Sequence, residues 1–530
     1  MEPNIATAKL GHLQQRLRSG LSLRLASTTL SSLGPSRRRG TRRPSGCRNI
    51  HRKPLRADTS STEHRVPNRR NGLVRGERLT APGTFIDLFA GCGGLSLGLM
   101  ESGWRGLFAI ERDGFAFDTL HANLLDANKP VGYEWPNWLP QEPHEVGRFI
   151  AEYREEIRAL QGQVTLIAGG PPCQGFSFAG KRSHDDPRND MFSHYVEFVN
   201  LVRPDYLLVE NVQGITVAFG KKQSSVHKAG KPSQRAAFSQ AIKDTLDEIG
   251  YEVYADTIRA ADYGVAQARP RYIAIGIRRD VLGERIIEPF EELKAIRDSF
   301  LKCKGLPTDR PISVKEAISD LEIGGRQTVP CYDSPGFKQM LYRGPRTDYQ
   351  RMLHGTRDFT PPNSLRLANH TPAVSRRFRI MLDTCRRGVK LSPEEKEILG
   401  LRKHSIYVLD ENKPAHTLTT LPDDVLHYSE PRILTVREYA RLQSFPDWYQ
   451  FRGKYTTGGD KRVRECPRYT QVGNAVAPLM AEVLGSLLQH LRVDLPQSPA
   501  AASTDKPLTA TLPPIRTQDV LRAGAAVSGR

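Results

Sequence analysis

The chain has 530 residues, 38% hydrophobic and 25% charged, which is the composition of a soluble protein and more length than one ordinary core needs. No apolar run approaches the roughly 18 residues of a transmembrane helix, which excludes that class. Formal net charge is +19, but residues 1–80 hold 18 Lys and Arg against four Asp and Glu, so the other 450 residues carry only +5. The excess points to a polyanionic partner or a basic tail, and its distribution favours the tail. Seven scattered cysteines, without a Cys-x-x-Cys pair, predict neither a disulfide framework nor a zinc site, and so a reducing compartment.

Residues 1–80 are rich in Arg, Ser, Pro and Gly and lose hydrophobic periodicity after about residue 30, which predicts a disordered basic tail. Their acid-poor start also fits an organelle transit peptide, with a dispensable tail the preferred reading. Residues 84–89 are β-branched and aromatic. Glycines follow, then a helical pattern over 95–100. Short apolar runs at 107–110, 164–168, 206–209 and 272–277 read as further strands, with helical patterns between them at 192–201 and 236–249. Such alternation predicts a parallel sheet covered on both faces. From 280 to 430 the rhythm disappears, which predicts a separate, irregular domain. Thr435-Val436-Arg437-Glu438 forms a capping box opening a helix that Pro446 stops, and 475–491 reads as the last helix. Residues 493–530 read as a second disordered tail.

Four constellations stand at strand ends and a fifth before the final helix. Asp87-Leu88-Phe89-Ala90-Gly91-Cys92-Gly93-Gly94 turns a strand into a helix, which lets a ligand approach the backbone at a helix N-terminus. Glu111 ends the next strand, where an acid can accept hydrogen bonds from ribose hydroxyls. Position 96 is Ser, so the G-x-G-x-x-G fingerprint is incomplete. A ligand with one nucleoside and no phosphate, such as S-adenosylmethionine, fits better than a dinucleotide; a mere tight turn is equally open. Gly170-Pro171-Pro172-Cys173-Gln174-Gly175-Phe176-Ser177 follows a strand and places Cys173 at the ligand-binding edge of the sheet. A lone Cys is more often inert, but stiff prolines and a polar loop favour a thiol that must ionise from about 8.5 to act as a nucleophile.

Glu210-Asn211-Val212 is, by itself, a solvated strand end. Beside Cys173 its carboxyl becomes a candidate acid, one that could keep or donate a proton if buried. Gln267-Ala268-Arg269-Pro270-Arg271 places two arginines on one side of an extended segment, either holding a carbonyl or phosphate oxygen or capping a strand. Gln471-Val472-Gly473-Asn474-Ala475-Val476 reads as a turn with Asn474 as N-cap of the final helix.

Residues 84–100, 169–182, 206–215, 262–278, 432–447 and 471–485 resemble, in this order, the main motifs of the cytosine-5 DNA methyltransferases, and most of all the bacterial modification type. The resemblance spans 84–491 and leaves both tails outside. It implies an α/β fold: a Rossmann-like, mostly parallel sheet of the S-adenosylmethionine-dependent methyltransferases with a smaller, irregular target-recognition domain. The expected organisation is a tail at 1–80, a catalytic domain at 81–285, target recognition at 286–430, a hinge helix and returning C-terminal helix at 431–492, and a tail at 493–530.

The same resemblance implies S-adenosylmethionine bound by Phe89, Gly91, Gly93, Glu111, Pro172 and the helix from Asn474, with no metal. It implies a cytosine flipped out of double-stranded DNA, Cys173 adding to carbon 6, Glu210 binding ring nitrogen 3 and the amino group, and Arg271 holding the carbonyl oxygen with Arg269 nearby. Gln174, Ser177, Lys181 and Arg182, with Arg188, would lie on a loop that meets DNA phosphates. A cognate restriction endonuclease, a monomeric state and a cytoplasmic, nucleoid-associated location complete these expectations. The interval between Glu111 and Val164, with Trp135, Pro136 and Trp138, is long for the family. The acid that meets the adenine amino group is hard to place there, with Glu145 the candidate. Residues 221–235 form a basic loop read as touching DNA. RNA cytosine methylation is the main alternative, but the long 280–430 stretch and the missing Cys-Phe-Thr signature favour DNA. A silent DNA-binding relative should have lost Cys173 or Glu210, and a dinucleotide oxidoreductase explains the first motif alone.

Overall fold

A computed structural model of the chain describes residues 82–172, 190–216, 238–325, 327–355, 361–401, 405–457, 461 and 464–494. Both expected tails, apart from two residues, and the basic loop at 221–235 lie outside the described residues. Up to residue 278 the order is β1 (Thr84–Leu88), α1 (Gly94–Glu101), β2 (Arg105–Ile110), α2 (Gly114–Leu124), α3 (Val146–Glu152), α4 (Arg154–Ala159), β3 (Leu166–Gly169), α5 (Asp190–Val202), β4 (Tyr206–Val212), α6 (Phe238–Glu248), β5 (Tyr251–Arg259) and β6 (Pro270–Arg278).

These strands form one sheet in the order β2-β1-β3-β4-β6-β5. β1 pairs in parallel with β2 and β3, and β3 with β4. β6 runs antiparallel to both β4 and β5, so it alone is reversed. The two-residue period of a strand sends alternate side chains to opposite faces. Phe85, Tyr206, Leu208, Ile273 and Ile275 join one apolar cluster; Ile86, Leu88, Leu207, Val209, Tyr272 and Ala274 join another. Both faces are therefore covered, as the continuous apolar runs predict. β5 escapes such a reading because its residues alternate between buried and half-exposed positions at the sheet's edge.

Beyond residue 278 come α7 (Pro289–Cys303), α8 (Val314–Ile318), β7 (Thr328–Pro330), β8 (Lys338–Met340), α9 (Asp348–His354), α10 (Pro372–Thr384), α11 (Pro393–Ile398), β9 (Tyr407–Val408), β10 (Val425–Leu426), α12 (Val436–Leu442), α13 (Arg468–Asn474) and α14 (Pro478–Asp494). The helices between 289 and 398 leave little rhythm in the sequence because α8 and α9, which bury about half of their residues, are only five and seven residues long, while the longer helices bury little. α7 covers only Pro289, Leu293 and Leu301, and α11 covers no residue. Leu293, Leu301, Val314, Ile318, Tyr349 and Leu353 share the large cluster on the sheet. Residues 381–426 and 321–367 hold smaller clusters of their own.

The last helix returns to the first. Gly94 and Gly98 lie one turn apart on α1, and a Cβ on either would meet Val476 O or Pro478 O at 2.3 Å. Only glycine permits that approach. Asn474 does not cap this helix: it is the last residue of α13, exposed, and α14 begins at Pro478. The capping box at Thr435 opens α12 as expected. That helix ends at Leu442, before Pro446, because Ser444 takes a left-handed backbone (φ 64°) and its Oγ accepts the Leu479 N–H at 3.1 Å.

α12 carries two buried arginines that fasten the second half of the chain. Arg437 donates to Asn363 Oδ1 at 2.8 Å and Tyr449 O at 2.6 Å. Arg441 donates to Asp447 Oδ1 at 2.6 Å and Asp320 Oδ1 at 3.1 Å, with all three side chains at most 3% exposed. Burial raises the Asp447 pKa, but Arg441 outweighs it and holds the carboxyl below the ordinary range. Arg441→Met would leave two buried carboxylates without their cation and should destabilise the fold by about 3–5 kcal/mol. Urea denaturation would show a lowered midpoint at unchanged slope; an unmoved midpoint would contradict this role.

Candidate active site

The turn after β1 is built from unusual backbone. Phe89, Gly91 and Gly93 all have positive φ (63°, 56° and 85°). A Cβ on Gly91 would meet nothing within 4 Å, so the turn opens onto free space at the strand's C-terminal edge. Glu111, just past β2, accepts the Gly91 N–H through Oε2 at 2.9 Å and the Asp113 N–H through Oε1 at 2.7 Å. Burial raises its pKa against those two bonds. The remaining carboxylate lone pairs can accept hydroxyl protons from a nucleoside. The turn is held from behind: Tyr449 Oη donates to Cys92 O, while Gln471 accepts from Thr119 Oγ1 at 2.7 Å and donates to Phe115 O at 3.1 Å.

The second half of the site lies at the end of β4. Glu210 Oε1 sits 2.8 Å from Arg271 Nε, with the side chains 11% and 8% exposed. In the antiparallel register Glu210 faces Ile273 and Val212 faces Arg271, so the charged pair is a diagonal cross-strand contact. Burial lowers the Arg271 pKa and Glu210 opposes that shift. A Cβ on Gly170 would come within 3.3 Å of Glu210 Oε2, which places the start of the Pro171-Pro172 segment against the carboxylate. Asn211 Nδ2 donates to Pro171 O at 3.0 Å, anchoring that segment two residues ahead of Cys173. Arg269 is 2% exposed and donates through Nη2 to Gly473 O at 3.0 Å. Its Nε and Nη1 have no hydrogen-bond partner among the described residues, and burial, with Arg271 beside it, disfavours its charge.

Of the residues singled out in the sequence, Glu210, Arg271 and Arg269 converge, as do Phe89, Gly91, Gly93 and Glu111. Pro172 is half-buried at the edge of the first group. Cys173, Gln174, Ser177, Lys181, Arg182 and Arg188 lie outside the described residues. Glu145 caps α3, accepting the Arg148 N–H at 2.9 Å. The long interval before Val164 folds against the sheet: Trp135 and Trp138 meet Phe108 edge-on, and the His144 N–H reaches Glu111 O at 2.9 Å.

Asn211, Gln471 and Asp87 are the functional neighbours that sequence reading passed over. All three stand inside quoted motifs, beside more reactive-looking residues. Asp87 is an acid in an otherwise apolar strand, which is itself a signal.

A profile of the family described as C-5 cytosine-specific DNA methylase matches residues 83–490. The chain belongs to that family. This methylase is 30% identical over 415 residues to the Type II methyltransferase M.DdeI of Desulfomicrobium norvegicum, a match covering 75% of this chain and 86% of the relative. It is 29% identical over 439 residues to the Type II methyltransferase M.XorII of Xanthomonas oryzae pv. oryzae, covering 78% and 86%. Among solved structures, a chain described as a DNA modification methyltransferase encoded within an E. coli prophage aligns with a TM-score of 0.50 at 23% identity, covering 77% of this chain and 99% of that one. The mostly parallel α/β sheet is thus the methyltransferase fold, and the chain is a DNA (cytosine-5) methyltransferase. No helix among the described residues is long and apolar enough to cross a membrane.

Asp87 lies beneath the glycine turn, fully buried, and accepts the Ser96 hydroxyl at 2.5 Å; Ser96 in turn accepts from Tyr133 Oη at 2.6 Å. Burial pushes its pKa from 3.8 up to about 7. Folding therefore favours the protonated acid. Its contribution to stability is complete below 3.8 and is lost as pH rises through about 7. The neutral variant Asp87→Asn should gain on wild type by about 2–3 kcal/mol between pH 5 and pH 8. Urea unfolding at the two pH values measures this; an equal difference at both would contradict it.

Proposed function

We propose that this methylase takes the methyl group of S-adenosylmethionine and places it on carbon 5 of a cytosine extruded from double-stranded DNA, through a transient bond between Cys173 and carbon 6. The observation that carries the reading is the buried Glu210–Arg271 pair beside the anchored Pro171-Pro172 segment, which leads directly into Cys173. The open space over Gly91 and the Glu111 carboxylate at its edge fit a nucleoside cofactor held by Phe89, Gly91, Gly93, Glu111 and Pro172. Bound there, S-adenosylmethionine supplies an electrophilic methyl group.

The protein must then make carbon 5 nucleophilic. Cys173 loses its proton and its thiolate adds to carbon 6, moving electron density towards carbon 5 and ring nitrogen 3. Glu210 hydrogen-bonds or protonates nitrogen 3 as that charge grows, and Arg271 holds the carbonyl oxygen. Arg269 supports this group with donors that have no partner among the described residues; buried unpaired donors cost about 1–3 kcal/mol each and favour an incoming oxygen. Once carbon 5 carries the methyl group, its proton leaves to a base, the carbon–sulfur bond breaks and the thiolate is restored. Gln174, Ser177, Lys181 and Arg182 meet the DNA. The domain division at residues 286 and 430 belongs to the same reading, with 286–430 choosing the sequence. The reading extends to a monomeric modification enzyme acting on nucleoid DNA in the cytoplasm, beside a cognate restriction endonuclease; relatives of the chain are named Type II methyltransferases.

Methylation mapping in a methylation-free bacterial host tests the reading. Wild type should leave carbon-5 methylcytosine in one short DNA motif, and Cys173→Ser should leave none while still binding S-adenosylmethionine. Normal methylation by that variant would refute the nucleophile. Glu210→Gln should lower turnover by about 10²–10⁴-fold, the range for a positioned acid.

A further inference from the structure

A cavity of about 590 Å³ opens between α10 and the segment before β10. Val374, Arg377, Phe378 and Met381 line it from α10; their spacing is that of one helical face. Its walls are mostly apolar, yet two arginines enter it. The Arg366 guanidinium is sandwiched 4.2 Å from the Phe337 ring centre and 3.9 Å from that of Tyr455. Its one hydrogen bond among the described residues is a long contact to Ser334 Oγ at 3.4 Å, and no ion pair engages Arg366 or Arg377 among those residues. Two stacked rings fix a guanidinium in direction while leaving its N–H edge unspent. Asp423 adds a carboxylate to the same wall.

The cavity also lies close to the reactive pair. A Cβ on Gly473 would meet Thr419 O at 2.6 Å, and Gly473 O accepts from Arg269. Asp423 is four residues past Thr419, at most about 14 Å of chain, which is about four base steps at roughly 3.4 Å each. On the other wall Tyr469 stands on α13, the helix that carries Gly473.

We propose that this cavity receives a guanine of the recognised DNA, with Arg366 and Arg377 donating to its O6 and N7 and Asp423 accepting from its N1–H and amino group. Guanine is the base that offers two acceptors on one edge and two donors on another, and the apolar walls suit its ring faces. A recess, unlike a protruding side chain, reads a base that leaves the stack. The exposed Arg376 and Arg379 of α10 would take the flanking phosphates. The proposal rests on the reading of this chain as acting on extruded cytosine in DNA.

The test uses the full chain and duplexes of the motif that wild type methylates, with each guanine replaced in turn by 7-deazaguanine, which lacks N7, or by inosine, which lacks the amino group. For wild type, both replacements at one position should lower kcat/KM by about tenfold to a hundredfold. Arg377→Ala should reduce the 7-deazaguanine sensitivity to less than about threefold at this position only, and leave the inosine sensitivity, which reports on Asp423. The wild-type arm stands even where the variant misfolds. If no position responds to both analogues, or if Arg377→Ala slows every sequence alike as a phosphate contact would, the guanine site is overturned. A wild type that binds S-adenosylmethionine and methylates no DNA would overturn the functional reading beneath it.

Discussion

The Glu210–Arg271 ion pair exists because β6 runs against the rest of its sheet. In an all-parallel sheet only C-terminal strand ends reach the ligand-binding edge. Reversing β6 brings its N-terminal end there too, and with it the Gln267–Arg271 segment. A carboxylate leaving β4 then meets a guanidinium entering β6. Both are almost fully buried, so each needs the other: removing one leaves a charge that water cannot reach. That dependence fixes the pair's geometry before any substrate arrives, which is the condition for electrostatic stabilisation of a developing charge.

The remaining parts of the site are fastened to this pair by contacts between distant stretches of chain. Arg269 reaches Gly473, 204 residues on. Tyr449 reaches Cys92, 357 residues back, and the last helix closes on the first through Gly94 and Gly98. The two ends of the described chain thus pack together beside the glycine turn. Such contacts have high loop-closure entropy, offset here by a continuous apolar cluster running from Phe85 to Leu491. The buried arginines of α12 extend the same logic to the second half of the chain, where small clusters alone would hold little.

Much of this was legible in the sequence because buried parallel strands are written as unbroken apolar runs, and chemistry-bearing residues stand where those runs stop. Glu210, Arg271, Glu111 and the glycine turn were found that way. The edge strand β5 was not, since its half-exposed face interrupts the run. Asn474 was misplaced because Gly-Asn usually marks a turn into a helix, whereas here it closes one. Asn211 and Gln471 act through hydrogen bonds to backbone atoms far along the chain, and one sequence carries no sign of such partners. The helices between 289 and 398 are either short, as α8 and α9 are, or bury too few side chains, as α7 and α10 do, to impose a period.

A double-mutant cycle on Glu210 and Arg271 tests the central claim most directly. Glu210→Gln, Arg271→Met and the double variant would be compared by kcat/KM for DNA methylation, with S-adenosylmethionine binding as the control for folding. If the two act as one preorganised unit, the double variant loses little more than the worse single variant. Losses that multiply, each residue contributing independently, would contradict it.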